Sequence, residues 1–163
     1  MYLVQGVTES VKVYDTYYSK NALVQAENGV LRISSFQKKP LTVAVYVTNL
    51  NTIEVADQSS VTTSGKASFL SLDVLLKDNA RADINANVVS MYTTLKGNAS
   101  LKLSGSAQEH TSVLASYAQL NLSQFTAQNS SVISQSAPLM SANNTSKALS
   151  EVFSLAGLAE IEK

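Results

Sequence analysis

The strongest constraint in this chain is a β-type pattern that returns every 19 to 21 residues. Ser59-Ser60-Val61-Thr62-Thr63-Ser64-Gly65 is followed by Ala80-Arg81-Ala82-Asp83-Ile84-Asn85-Ala86, then by Ala99-Ser100-Leu101-Lys102-Leu103-Ser104-Gly105 and Ala118-Gln119-Leu120-Asn121-Leu122-Ser123-Gln124. The third place holds Val61, Ala82, Leu101 and Leu120, and the fifth Thr63, Ile84, Leu103 and Leu122. Between them stand Thr62, Asp83, Lys102 and Asn121. Successive side chains of a strand point to opposite sides, so the third and fifth places are predicted to face inward and the place between them outward. A fixed period near twenty residues is the signature of stacked coils, not of a sandwich. Each coil is expected to carry a second strand: Leu70, Leu72, Val74 and Leu76 in the first, Met91, Thr93 and Leu95 in the second, His110, Ser112 and Leu114 in the third.

The chain has 163 residues, 45% of them apolar, which is enough for one core. We expect a single domain over 1–163, with an antiparallel segment at about 2–47, coils at about 50–136 and a C-terminal cap at 137–163. Only 15% of residues are charged, and Ser, Thr, Asn and Gln supply polarity instead, which suits turns and stacked strands. Twelve basic and twelve acidic residues cancel. With no basic stripe, nucleic acid is not an expected partner; the densest basic spot, Lys38-Lys39, reads as a solvated turn. There is no Cys, so disulfides and thiolate metal sites are excluded. No run approaches the ~18 apolar residues of a membrane helix, so no transmembrane segment is expected. Met1 leads directly into a strand-like Tyr2-Leu3-Val4, and a removed upstream targeting segment is expected.

The first 47 residues read as an antiparallel meander that covers the first coil. Val7, Val11 and Val13 alternate with polar neighbours, Leu23-Val24-Gln25-Ala26 and Val30-Leu31-Arg32-Ile33 flank the turn signal Glu27-Asn28-Gly29, and a fourth strand runs over 41–47 after Pro40. Asn79 and Asn98 stand 19 apart and can stack as a ladder. Asn129-Ser130-Ser131-Val132-Ile133 reads as a shortened coil, and 146–162 as a short capping helix or as further strands.

Candidate chemistry is sparse. His110 is the only His. Alone it builds no His-based metal site, and as a general base it needs a nucleophile and an orienting group; Ser104, Ser106 and Ser112 are near it in sequence, as they are everywhere in a Ser-rich chain. Asp57, Asp78 and Asp83 could be stacked by the coils, with Arg81 to neutralise them, but a calcium site takes six to eight oxygens, and the turn reading of these acids is preferred. Tyr14, Tyr17 and Tyr18 form an aromatic cluster that is either a contact surface or a packed edge. The Asn-x-Ser triplets at Asn98 and Asn121 follow from composition. No catalytic, cofactor-binding or metal residue is assigned.

Three stretches together carry a family resemblance: Gly29-Val30-Leu31-Arg32-Ile33, then Val43-Ala44-Val45-Tyr46-Val47-Thr48-Asn49-Leu50-Asn51-Thr52-Ile53-Glu54-Val55, and the Ser/Gly-rich coils with Leu101-Lys102-Leu103-Ser104-Gly105. The chain resembles, over about residues 3–135, the head GIN domain family of auto-transporter adhesin type, a domain of unknown function found mostly in Bacteroidetes. The resemblance implies an all-β, right-handed, single-stranded parallel β-helix with an antiparallel N-terminal part, located in the cell envelope or outside the cell. It departs from the family pattern in having Asp57-Gln58 and Asp78-Asn79 where glycines are expected, and in lacking a Tyr/Gly-containing close. The function expected is a non-catalytic, adhesin-like contact domain without cofactor, for an unknown surface partner, protein or carbohydrate. The alternatives are a structural β-helix polymerising through coil ends and a carbohydrate-active β-helix enzyme.

Overall fold

The computed structural model describes residues 1–14, 22–36, 40–135 and 139–141. These form twelve strands: β1 Tyr2–Gln5, β2 Ser10–Val13, β3 Ala22–Glu27, β4 Val30–Ser35, β5 Val43–Val47, β6 Thr52–Val55, β7 Ser60–Thr63, β8 Ala67–Leu76, β9 Arg81–Leu95, β10 Ser100–Leu114, β11 Gln119–Ser134 and β12 Leu139–Ser141. The parallel coils stack as a β-solenoid of about four turns, with antiparallel strands at the N-terminus.

The predicted column is the spine of the stack. Val61 pairs with Ala82, Ala82 with Leu101, Leu101 with Leu120, and Leu120 with Met140. Val61, Ala82, Leu101 and Leu120 are buried, as are Ile84, Leu103 and Leu122 at the fifth place. Thr62 is exposed, and Asp83, Lys102 and Asn121 are half-buried on the outer side. Parallel strands slide one coil past the next at about 4.8 Å, so like positions lie on top of one another. Where the chain must turn closely under its neighbour the column is alanine: Ala80, Ala99 and Ala118 are fully buried.

Each coil has three sides. The first holds residues 60–63, 81–84, 100–103 and 119–122, the second 67–69, 86–88, 105–107 and 125–127, and the third 72–76, 91–95, 110–114 and 130–134. Between the second and third sides the alternation slips: two successive residues point outward at 70–71, 89–90, 108–109 and 128–129. That slip corrects one expectation. Leu70 is not in the inward row with Leu72, Val74 and Leu76 but is 75% exposed at the corner. The third corner is a tight turn with positive φ at Asp57, Asp78, Gly97 and Ser116. The two places where family glycines are missing are therefore left-handed positions held by Asp, which tolerates that conformation better than most residues. Turn amides keep the ladder going, with Asn79 N donating to Asp57 O at 2.9 Å and Asn98 N to Asp78 O at 2.7 Å.

The coils differ in length at the first corner. Val61 and Ala82 are 21 residues apart while Ala67 and Ala86, just past that corner, are 19 apart, so residues 64–66 hold two extra residues. Leu101 and Leu120 are 19 apart but Gly105 and Phe125 are 20, so β11 holds one extra residue at the same corner. The columns on either side are unaffected.

The N-terminal part is more entangled than a meander. β3 and β4 form a separate antiparallel hairpin, turned by Asn28 and Gly29, both at positive φ, as the type I′ turn requires. Its Leu31 and Ile33 pack on the core of the solenoid. β2 lies antiparallel on β5, but β1 is parallel to both β5 and β7 and so is itself part of the stack. Val7 lies in a bend, 97% exposed, outside the row with Val11 and Val13. Gln5 fastens β1 to the second side, its Nε2 donating to Ser68 O and its Oε1 accepting from Ser68 N, both at 2.7 Å. β12 begins a further rung on β11 within the stretch expected to be the cap; the capping helix expected at 146–162 lies outside the described residues.

Two stability tests follow from this frame. Leu103→Ala is expected to cost roughly 2–5 kcal/mol, as for a truncated buried Leu, and Lys102→Ala to stay within about 0.5 kcal/mol; equal losses in denaturant melts would contradict the assigned sides. Gly105 and Gly65 both have positive φ, but a Cβ on Gly105 would lie 2.2 Å from Ala86 O, whereas one on Gly65 meets nothing within 4 Å. Gly65→Ala should therefore cost about 1 kcal/mol of backbone strain, and Gly105→Ala clearly more.

Candidate functional site

The chain's one imidazole lies inside the solenoid. His110 is 2% exposed, in an inward row with Leu72, Met91 and Ser130. The next inward row holds Val74, Thr93, Ser112 and Val132. These two rows bring four polar side chains into one chain, buried at Thr93, Ser112 and His110 and half-buried at Ser130. Thr93 Oγ1 and Ser112 Oγ are 2.5 Å apart, Ser112 Oγ and His110 Nε2 2.8 Å, and His110 Nδ1 and Ser130 Oγ 2.9 Å. A neutral imidazole has one donor and one acceptor nitrogen, and hydroxyls both give and accept, so every link is satisfied with the chain running in either direction. The ring also meets Phe125 edge-on, with centroids 5.2 Å apart. Burial pulls the His110 pKa down from 6.5 to about 4, because the charged form loses its water.

A Ser Oγ within reach of a His nitrogen has the outline of an activated nucleophile. Here the group on the far nitrogen is a serine, not a carboxylate, and Ser112 is fully buried. A solute reaches neither atom while the coils are closed. The chain therefore acts on packing: it satisfies polar groups that would otherwise be stranded among Leu72, Val74 and Val132.

The acids separate. Asp78 Oδ2 accepts from the Asp57 backbone N at 3.3 Å, while Asp83 pairs with Lys102 at 3.5 Å on the first side. Arg81 is exposed. No group of three or more potential metal-ligating residues occurs among the described residues. The Asn ladder forms, Asn98 Nδ2 donating to Asn79 Oδ1 at 3.2 Å. Ser106 points outward and donates to Asn87 Oδ1, away from His110. Tyr14 is exposed; Tyr17, Tyr18, Lys38 and Lys39 lie outside the described residues.

The outer surfaces of the three sides differ in chemistry. Outward on the first are Tyr2 of β1, then Thr62, Asp83, Lys102 and Asn121, and on the second Ser68, Asn87, Ser106 and Thr126. On the third, one outward row is Asp73, Tyr92, Thr111 and Ser131, and the next is Leu75, Thr94, Val113 and Ile133. The large exposed apolar side chains of the coils gather on this side and its two corners: Tyr92 at 43% and Ile133 at 46% on it, Leu70 at 75% and Val89 at 40% along one corner, Tyr117 at 73% at the other. In β9, β10 and β11 neither row carries a charge. Sequence reading missed this surface, although the apolar residues between the inward places of the second strands, Leu75 and Val113, were a visible signal.

The buried chain can be dissected by truncation. Ser112→Ala strands partners on both sides and should cost about 1–3 kcal/mol, whereas Thr93→Val removes only the end of the chain and should cost less. A double-mutant cycle in denaturant should give coupled energies for this pair; additive losses would show that the 2.5 Å contact is energetically empty.

No curated protein matches this chain, and no solved structure matches it. Among the described residues, no helix is long and apolar enough to cross a membrane. The sequence model of the family described as "putative auto-transporter adhesin, head GIN domain" matches residues 1–156. Stacked coils, an antiparallel N-terminal part and a match over nearly the whole chain agree: this chain belongs to the head GIN domain family.

Proposed function

We propose that the chain is a non-catalytic contact domain of the cell surface or extracellular space, and that it meets its partner through the third side of the solenoid. The observation that carries this is the distribution of exposed apolar groups over β7–β11, where they lie on the third side and its corners while the outward rows of the other two sides are polar; the remaining ones, Tyr2, Val7, Tyr14, Leu23, Val30 and Phe36, belong to the N-terminal part. Contiguous apolar surface rimmed by polar groups marks interaction sites, and tyrosines are favoured in them. The adhesin-type family supports the same reading. The sealed position of His110 and Ser112 supports a non-catalytic role, since the best-placed nucleophile–base pair cannot touch a solute. Binding here is a sum of small contacts along a rigid, flat sheet, with few charges to screen.

Beads coated with the domain, run over immobilised glycans and immobilised matrix proteins, test this and tell the two partner classes apart. Changing Tyr92, Val113 and Ile133 together to Ser should lower retention by about tenfold or more, as for the loss of several interface anchors. Changing Thr62, Arg81 and Asn121 together to Ala should leave retention intact, as should Asp78→Asn in the turn. Salt should change retention little. Loss of retention on the first-side changes, with the third-side variant fully active, would overturn the assignment.

A further inference from the structure

We propose that the buried hydroxyl–imidazole chain makes the coil of β11 releasable by acid: a proton taken up by His110 parts β11 from β10 while the earlier coils stay paired. His110 stands on β10, and the groups that hold its outer side belong to β11, namely Ser130 at Nδ1 and the Phe125 ring. Its other nitrogen is tied through Ser112, on its own strand, to Thr93 of β9. The imidazole is thus a joint between successive rungs.

The environment holds nothing to offset a charge there. The inward residues from the neighbouring strands are Leu72 and Val74 of β8, Met91 and Thr93 of β9, and Phe125, Ser130 and Val132 of β11. The adjacent acid on its own strand, Glu109, points outward and accepts a hydrogen bond from Asn129 at 2.6 Å. An imidazolium would sit in the lumen without a counter-ion, which is costly enough that the closed coil holds the ring neutral. The lowered pKa of about 4 is consistent with this. An opened coil returns the ring to its ordinary value near 6.5. The open form then binds more protons between the two values, so closure is fully favoured above about pH 6.5 and loses that advantage as pH falls toward 4.

The contacts of the ring say which rung yields. Among the described residues, β10 is paired along both edges, with β9 and with β11. β11 is paired with β10 along its length and, among the described residues, with β12 at Gln119, Leu120 and Asn121. Ser130 and Phe125 are the groups that close over the ring from the next coil, so lifting residues 125–134 exposes His110 while the β9–β10 ladder stays closed.

Hydrogen exchange on the whole chain at about pH 7 and about pH 4.5, corrected for intrinsic rates, should show β11 losing more than about tenfold in protection, with β9 retaining its own. In His110→Gln, which keeps an amide donor and acceptor but does not titrate, that loss should disappear. Where this variant does not fold, His110→Met, which copies Met91 in the same row, serves instead. An NMR titration of the wild-type imidazole should show protonation only together with the opening. Unchanged protection in β11, equal loss in β9 and β11, the same loss in the variants, or a ring that titrates near its ordinary value with β11 still protected would each overturn the proposal.

Discussion

Everything in this molecule depends on the parallel backbone ladder that ties each residue to the one about a coil away. That ladder fixes the rise between coils at the strand spacing and leaves no freedom for a side chain to choose different neighbours. Like must lie over like. Ala80, Ala99 and Ala118 are small together because their column passes through a tight corner, and Asn79 and Asn98 are bonded because their column is on the surface. A charge on one coil can be met by its neighbour on the next, as Lys102 is by Asp83.

The same rule governs how much could be read from the sequence. The Val61–Ala82–Leu101–Leu120 column was legible because a two-residue alternation repeated at a constant offset fits stacked strands and little else. The Asn79–Asn98 ladder was legible for the same reason. The position of Leu70 was not, because the corner inserts a second outward residue without any glycine or proline to mark it. The pairing of β1 with β7 joins segments about sixty residues apart and leaves no periodic trace. The polar chain around His110 was legible in part: Thr93, His110 and Ser112 stood at corresponding alternating places of the second strands, but their bonding to one another and to Ser130 did not show. Hydroxyls are common in a Ser/Thr-rich chain, and only the structure shows which of them reach the imidazole.

The contact surface occupies a middle position. Its elements, Tyr92, Val113 and Ile133, lie in strands that were foreseen, but an outward apolar residue looks like a fault in the alternation until its neighbours one coil away prove to share it. A single exposed Val is unremarkable; the same position filled by Leu75, Thr94, Val113 and Ile133 on consecutive rungs makes a surface. The stacking that builds the core thus also builds the outer face, since it multiplies a weak preference by the number of coils.

The unequal coil lengths at the first corner have a meaning for how such a domain can diversify. Two additional residues in one coil and one in another are absorbed at the same corner, and the rows before and after it keep their partners. Growth at that corner is decoupled from the core. A longer segment placed there projects from the edge shared by the first and second sides, and loop closure costs little for added length. The solenoid thereby offers a seam at which new surface can be acquired by insertion alone, while the flat face around Tyr92 is inherited unchanged.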